Sequence, residues 1–128
     1  MMEQFTVDTR KEFDLINITR EVERFVEGEG VAVIFTPHTT CSLLINEDER
    51  GLREDILNFY LKLAPKGSYA HNRVDNNAHS HLRSLFNNSL TIPVVNGRLA
   101  LGTWQSIFLI ESDGPRVRKV YIVMMEIK

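Results

Sequence analysis

Apolar and polar residues change their spacing along this chain, and the changes mark out its elements. Residues 4–9 and 13–18 alternate imperfectly, as a strand or extended segment does. Thr19 then stands where an N-cap belongs, ahead of Val22, Phe25 and Val26 on one face of a short helix that Gly28 and Gly30 should stop. Residues 31–35 are apolar at every position, which predicts a strand covered on both faces. A second strand over 42–45 follows the Thr36-Pro37-His38 loop. Between 47 and 63, Leu52, Ile56, Phe59, Tyr60 and Leu63 recur at helical spacing, and Pro65 and Gly67 end the run. A polar stretch over 66–77 leads into a shorter helix carrying Ala78, Leu82 and Leu85, with Asp75-Asn76-Asn77 as its caps.

The last third is β-rich. Segments 90–95, 98–101, 104–111 and 117–127 are divided by Asn96-Gly97 and Asp113-Gly114-Pro115 turns and read as an antiparallel meander. Strands at both ends with helices between them predict an α+β fold: an antiparallel β-sandwich or barrel-like sheet pair flanked by two to three helices. No repeat, linker or low-complexity stretch divides the chain, so 1–128 reads as a single domain.

Composition narrows the function classes. A hydrophobic content of 43% over 128 residues supports one buried core. Fifteen basic against 17 acidic side chains give no basic surface for phosphate backbones, so nucleic acid is not the expected partner. The apolar runs fall far short of the roughly 20 residues of a membrane-spanning helix, so no membrane partner is expected either. One cysteine and no signal-peptide pattern point to a reducing cytoplasm. Phosphate-loop, dinucleotide, paired-cysteine and serine-elbow motifs do not occur.

The candidate chemistry centres on four histidines outside the predicted strands: His38, His71, His79 and His81. Neutral imidazoles ligate zinc-like ions, and a catalytic site typically leaves one position for water. Their spacings match no short zinc signature, so convergence would have to come from the fold; the alternative is surface or capping histidines. Asp75 can orient an imidazole or act as a base, or simply cap a helix. Cys41 invites a Cys-His nucleophile reading, against which a strand of apolar residues would bury it as a small hydrophobe. Trp104 and Gln105 follow Gly102-Thr103, where an aromatic plane can stack on a heteroaromatic ring, or where tryptophan serves the core or a subunit contact. Arg116 and Arg118 can bind phosphate through the guanidinium fork, or be solvated charge on a strand.

Four blocks carry a family resemblance. They are Gly97-Arg98-Leu99-Ala100-Leu101-Gly102-Thr103-Trp104-Gln105-Ser106-Ile107, Ser89-Leu90-Thr91-Ile92-Pro93-Val94, Asp113-Gly114-Pro115-Arg116 and Thr36-Pro37-His38-Thr39-Thr40-Cys41-Ser42. The chain resembles the YjbQ-like proteins over nearly its whole length. That resemblance implies the same fold class and a compact homotrimer, with active-site clefts at or near the subunit boundaries. The family's histidine blocks fall on His38, His71 and His81, implying a site for a divalent metal ion, zinc or magnesium, assisted by Asp75. His79 is the weaker fourth candidate, a ligand or a residue that flanks the site, because family members can carry proline or another residue there.

The resemblance also implies weak thiamine-phosphate synthase activity, which joins a pyrimidine pyrophosphate to a thiazole phosphate and releases pyrophosphate. The expected protein is thus a small cytoplasmic metal- or phosphate-binding enzyme acting on a phosphorylated metabolite. Its catalytic set is His38, His71, Asp75 and His81; Trp104, Gln105, Arg116 and Cys41 contact substrate. The alternatives are a noncatalytic trimeric metal- or anion-binding protein and a metal-dependent hydrolase of a phosphorylated metabolite.

Overall fold

The computed structural model describes residues 2–127. Eight strands and three α-helices run in the order β1 (Met2–Asp8), β2 (Asp14–Asn17), α1 (Thr19–Glu23), β3 (Gly30–Phe35), β4 (Cys41–Asn46), α2 (Arg50–Leu63), α3 (Ala78–Leu82), β5 (Ser89–Val95), β6 (Arg98–Leu99), β7 (Ser106–Glu111) and β8 (Val117–Glu126), with a 3-10 turn over Ala70–Arg73 before α3. One sheet has the order β1-β8-β3-β5-β6 and the other β2-β7-β4. Every pairing is antiparallel. The expected α+β sheet pair with flanking helices is the architecture found.

The two sheets bury a shared core built from Ala32, Ile34, Leu43, Ile92, Val94, Ile107, Leu109, Val120 and Ile122. Phe108 and Ile110, on the opposite face of β7, pack with Leu15 and with Tyr60 of α2. β7 is therefore covered on both sides, and each of its fully buried large side chains contributes about 1.5–3 kcal/mol by leaving water.

That double cover was expected of β3, and the structure corrects it. Ala32 and Ile34 are buried while Val31 and Val33 are half-buried and Phe35 is exposed. α1 and α2 lie against β7 and β2 of the other sheet, so among the described residues no helix covers this face. The expected meander is also interrupted, because β7 crosses to the three-stranded sheet and β8 returns to lie between β1 and β3.

Local chemistry explains the boundaries. The Asn96-Gly97 turn joins β5 to β6 with φ of 53° and 73°, the left-handed pair that a tight hairpin needs. At Gly30 a Cβ would sit 1.9 Å from the Met125 carbonyl oxygen, so only glycine lets β3 pass β8 there. α2 is capped by Glu49, whose carboxylate accepts from the Gly51 and Leu52 amides at 2.7 and 2.8 Å.

Two expected caps act differently. Thr19 is the first residue of α1 rather than its cap, and its hydroxyl accepts from the Ile107 amide at 2.8 Å, tying the helix to β7. Asn77 occupies the N-cap of α3 with no side-chain cap bond, because its amide is used elsewhere. α1 ends at Glu23, before the glycines, and α3 ends at Leu82, leaving Leu85 exposed. No helix among the described residues is long and apolar enough to cross a membrane.

Candidate functional site

At one end of the sandwich the 36–40 loop crosses from the larger sheet to the smaller. It faces α3 and the 112–116 turn across a cleft of about 330 Å³ lined by Pro37, His38, Thr39, Thr40, Asn77, His81, Asp113, Arg116 and Arg118. The loop's position follows from the β-ladder. β3 leaves β8 after the Phe35–Tyr121 pair, and the next residue but one, Pro37, could not continue the pairing. His38 supplies the missing acceptor: its Nε2 takes the Lys119 amide hydrogen at 2.8 Å. The ring is thereby fixed with the hydrogen on Nδ1, a donor. Burial first, then the Arg118 charge, lowers the His38 pKa below 6.5 and keeps it neutral.

Below the cleft Arg118 and Glu111 meet inside the protein. Arg118 is on the inward register of β8, in step with Val120 and Ile122, and Glu111 is on that of β7, in step with Ile107 and Leu109. Arg118 Nε donates to Glu111 Oε1 at 2.8 Å, and Nη2 donates both to Oε2 and, at 2.8 Å, to the Thr40 hydroxyl. The carboxylate also accepts from the Thr9 hydroxyl and the Asp113 amide at 2.7 and 3.1 Å. Burial pushes the Glu111 pKa up, but these donors outweigh it and hold the carboxyl below its ordinary value. Arg118 is 3% exposed, and Nη1 is the one guanidinium nitrogen with no bond to a described residue.

A second chain of bonds runs along the opposite wall. The Asp113 carboxylate can only accept, so Asn77 Nδ2 donates to it at 3.0 Å and Asn77 Oδ1 must be an acceptor. His71 Nε2 lies 3.1 Å from that oxygen and is consequently the protonated nitrogen. The His71 ring packs edge-on against His81, with centroids 4.7 Å apart. Arg116 folds back on Asp113, donating from Nε to its backbone oxygen at 2.8 Å. The positive charges of Arg116 and Arg118 are thus matched by Asp113 and Glu111. What the cleft offers is a set of oriented donors rather than net charge.

The structure brings His38, His81, Arg116 and Arg118 to one cleft and places His71 against its His81 wall. It does not assemble a metal centre from them. No three His, Cys, Asp or Glu side chains among the described residues are grouped to hold an ion. His38 Nε2 accepts from a backbone amide, which leaves that ring no free lone pair for an ion, whereas His71, protonated on Nε2, keeps its Nδ1 lone pair; the trio fits an ion only if His38 gives up its bond to Lys119.

The remaining sequence candidates lie elsewhere. Asp75 is exposed and does not line the cleft. Cys41 is fully buried beneath it, its thiol 3.7 Å from Glu111 Oε2, and burial together with that carboxylate pushes its pKa up to about 12. Such a thiol is not a nucleophile at neutral pH. Trp104 and Gln105 fall in the turn before β7, not at its head, and at the opposite end of that strand from Glu111. Trp104 is 72% exposed, and Gln105 only closes its own turn by accepting from the Gly102 amide. His79 faces away, toward Glu12.

Sequence reasoning missed Asn77, Asp113 and Glu111 as site residues. Asn77 and Asp113 are in loops where capping and turn roles explain them equally well. Glu111 did leave a signal: a charged residue on the buried register of an apolar strand, with Arg118 on that of another.

Comparison with known proteins agrees with this fold over its length. A family model described as "UPF0047 protein YjbQ-like" matches residues 3–127. A UPF0047 protein of Archaeoglobus fulgidus is 52% identical over 122 residues, covering 93% of this chain and 97% of that protein. The UPF0047 protein YugU of Bacillus subtilis is 37% identical, covering 98% and 99%. Among solved structures, a hypothetical protein from Aeropyrum pernix superposes with a TM-score of 0.94 at 41% identity over 99% of each chain. A YbjQ-like protein of unknown function from Sulfolobus solfataricus gives 0.91 at 40% identity, covering 95% of this chain and 94% of that one. With its matched residues running from one end of the fold to the other, the chain belongs to the YjbQ-like UPF0047 family.

Proposed function

We propose that the cleft binds the phosphoryl group of a small metabolite and that His81 acts on it as an acid or base. One observation carries this reading: Arg118, which lines the cleft, is held by Glu111 and Thr40 with a single guanidinium nitrogen, Nη1, left without a partner among the described residues. A preorganised guanidinium beside the Thr39 and Thr40 hydroxyls and the His38 Nδ1–H suits a tetrahedral oxyanion group. His81 lines the same cleft, and its ring, packed edge-on against His71, makes no hydrogen bond to a described residue, which suits it to a proton-transfer role.

The finer reading is a thiamine-phosphate synthase-like transfer, supported only by the family resemblance and by both substrates carrying phosphoryl groups. The C–N bond from the pyrimidine methylene carbon to the thiazole nitrogen forms as the C–O bond to pyrophosphate breaks. Within one chain Trp104 is not part of the cleft, so a stacking wall for the pyrimidine requires a neighbouring subunit. A homotrimer is the assembly we propose, supported by the uncovered apolar face of the larger sheet, where Val31, Val33, Phe35, Tyr121 and Val123 share one side. The single buried thiol suits a cytoplasmic protein.

The test is a screen of phosphorylated metabolites for turnover, with inorganic phosphate as competitor and metal content measured on the same preparation. Turnover inhibited by phosphate and abolished in His81→Ala supports the reading. Binding without turnover assigns a noncatalytic anion holder. Stoichiometric tightly bound metal lost in His38→Ala restores the histidine metal centre in its place.

A further inference from the structure

Across α3 from the cleft lies a second recess of about 380 Å³, lined by Arg83, Phe13, Leu61 and Pro65 with Glu12 and Lys66. The proposed phosphoryl site uses none of these residues. Arg83 is 2% exposed, yet only part of its guanidinium is satisfied. Its Nε donates to the Ala64 carbonyl at 2.9 Å, and its centre lies 4.8 Å over the Phe13 ring. Neither Nη nitrogen donates to a described residue, and no described carboxylate pairs with them.

A guanidinium taken out of water normally gains a carboxylate or phosphate partner. Glu12, on the same recess, does not serve. It pairs with Lys66 at 3.0 Å and lies 3.6 Å from His79 Nε2, beyond hydrogen-bond reach. His79 is itself 7% exposed, and that nitrogen has no hydrogen-bond partner. The recess therefore combines a largely buried, incompletely paired cation with an apolar wall, and the orphaned His79 nitrogen lies beside its Glu12 edge rather than in its lining.

We propose that this recess binds a small carboxylate with an apolar body, such as an aryl or short-chain acid. The carboxylate occupies the Nη1 and Nη2 donors of Arg83 as a two-oxygen fork, and the apolar body packs on Phe13, Leu61 and Pro65. A bare inorganic anion has nothing to place against that wall, and a neutral apolar molecule leaves the guanidinium unpaired.

Benzoate and its neutral isostere benzamide, titrated into isotopically labelled protein, test this by NMR. The expected result is saturable shifts at Phe13, Leu61 and Lys66 with benzoate and none with benzamide. Arg83→Gln should weaken benzoate roughly ten- to a hundredfold, as loss of a charged hydrogen-bonding partner does. Leu61→Glu, at an exposed position on the recess wall, should abolish the shifts by repulsion and reads the site even if Arg83→Gln fails to fold. An equal response to benzamide, or benzoate shifts confined to Thr39, Thr40 and Asn77, overturns the proposal. The second result would leave the phosphoryl reading of the first cleft standing.

Discussion

Glu111 and Arg118 face each other from different sheets and close the end of the interior directly beneath the cleft. The pair joins β7 to β8 and is 0% and 3% exposed. It serves two purposes, holding the layers together and presenting one guanidinium nitrogen to whatever enters from above.

Removing one member leaves the other charge buried alone. Glu111→Ala should cost about 3–5 kcal/mol of unfolding free energy, and pairing it with Arg118→Leu should recover part of the loss. Urea unfolding measures both, and a single-variant loss under about 1 kcal/mol would mean that the pair carries little stability. The pH dependence has a fixed sign. The folded Glu111 carboxyl is below its ordinary value of 4.5, so its contribution is complete above that pH and is lost as pH falls through the lower folded value.

Cys41 should be inert toward thiol reagents in the folded protein at pH 8, since its pKa is about 12 and it is fully buried. Urea should release a full equivalent. Cys41→Ser keeps a donor for Glu111 and should retain ligand binding; rapid labelling of the native protein would contradict the structure.

The histidine tautomers are directly observable. Long-range nitrogen-proton NMR at pH 7.5 should show His38 protonated on Nδ1 and His71 on Nε2. Because the His38 pKa is lowered, the neutral ring's contribution is complete above about pH 6.5 and declines as pH falls from there toward the folded value. An Nε2–H tautomer at His38 would break the assigned bond to Lys119.

Phosphate binding should respond to the two walls separately. Arg118→Lys loses the fork on Glu111 that positions the guanidinium, and with it the unpartnered Nη1, and should weaken binding roughly tenfold or more. Asn77→Ala should change stability little through capping, as that side chain caps nothing, but should release the His71 ring and move the ring resonances of His71 and of His81 packed against it. Calorimetry with inorganic phosphate and NMR of the imidazoles separate these effects, and unchanged affinity in Arg118→Lys would discard the phosphoryl reading.

Light scattering decides the assembly. A trimer is expected at micromolar concentration, and Val33→Lys with Tyr121→Lys on the uncovered sheet face should dissociate it. A stable parent monomer would end that proposal.

The residue pattern by itself determined the α+β class, the long helix, the Asn96-Gly97 hairpin and the histidines' placement outside strands. Those features are local: hydrophobic period, turn geometry and helix stops act over a few residues. Which all-apolar strand is doubly covered was decided only by tertiary structure, since β3 and β7 read alike until the helices choose a side. The site was divided in the same way. His38 and His81 were legible as candidates, but Asn77 was diverted from capping by Asp113, 36 residues away along the chain, with His71 on its other side. Glu111 and Arg118 became a pair only when two sheets stacked their inward faces. Periodicity says which side of a strand is buried, and packing alone says what waits there.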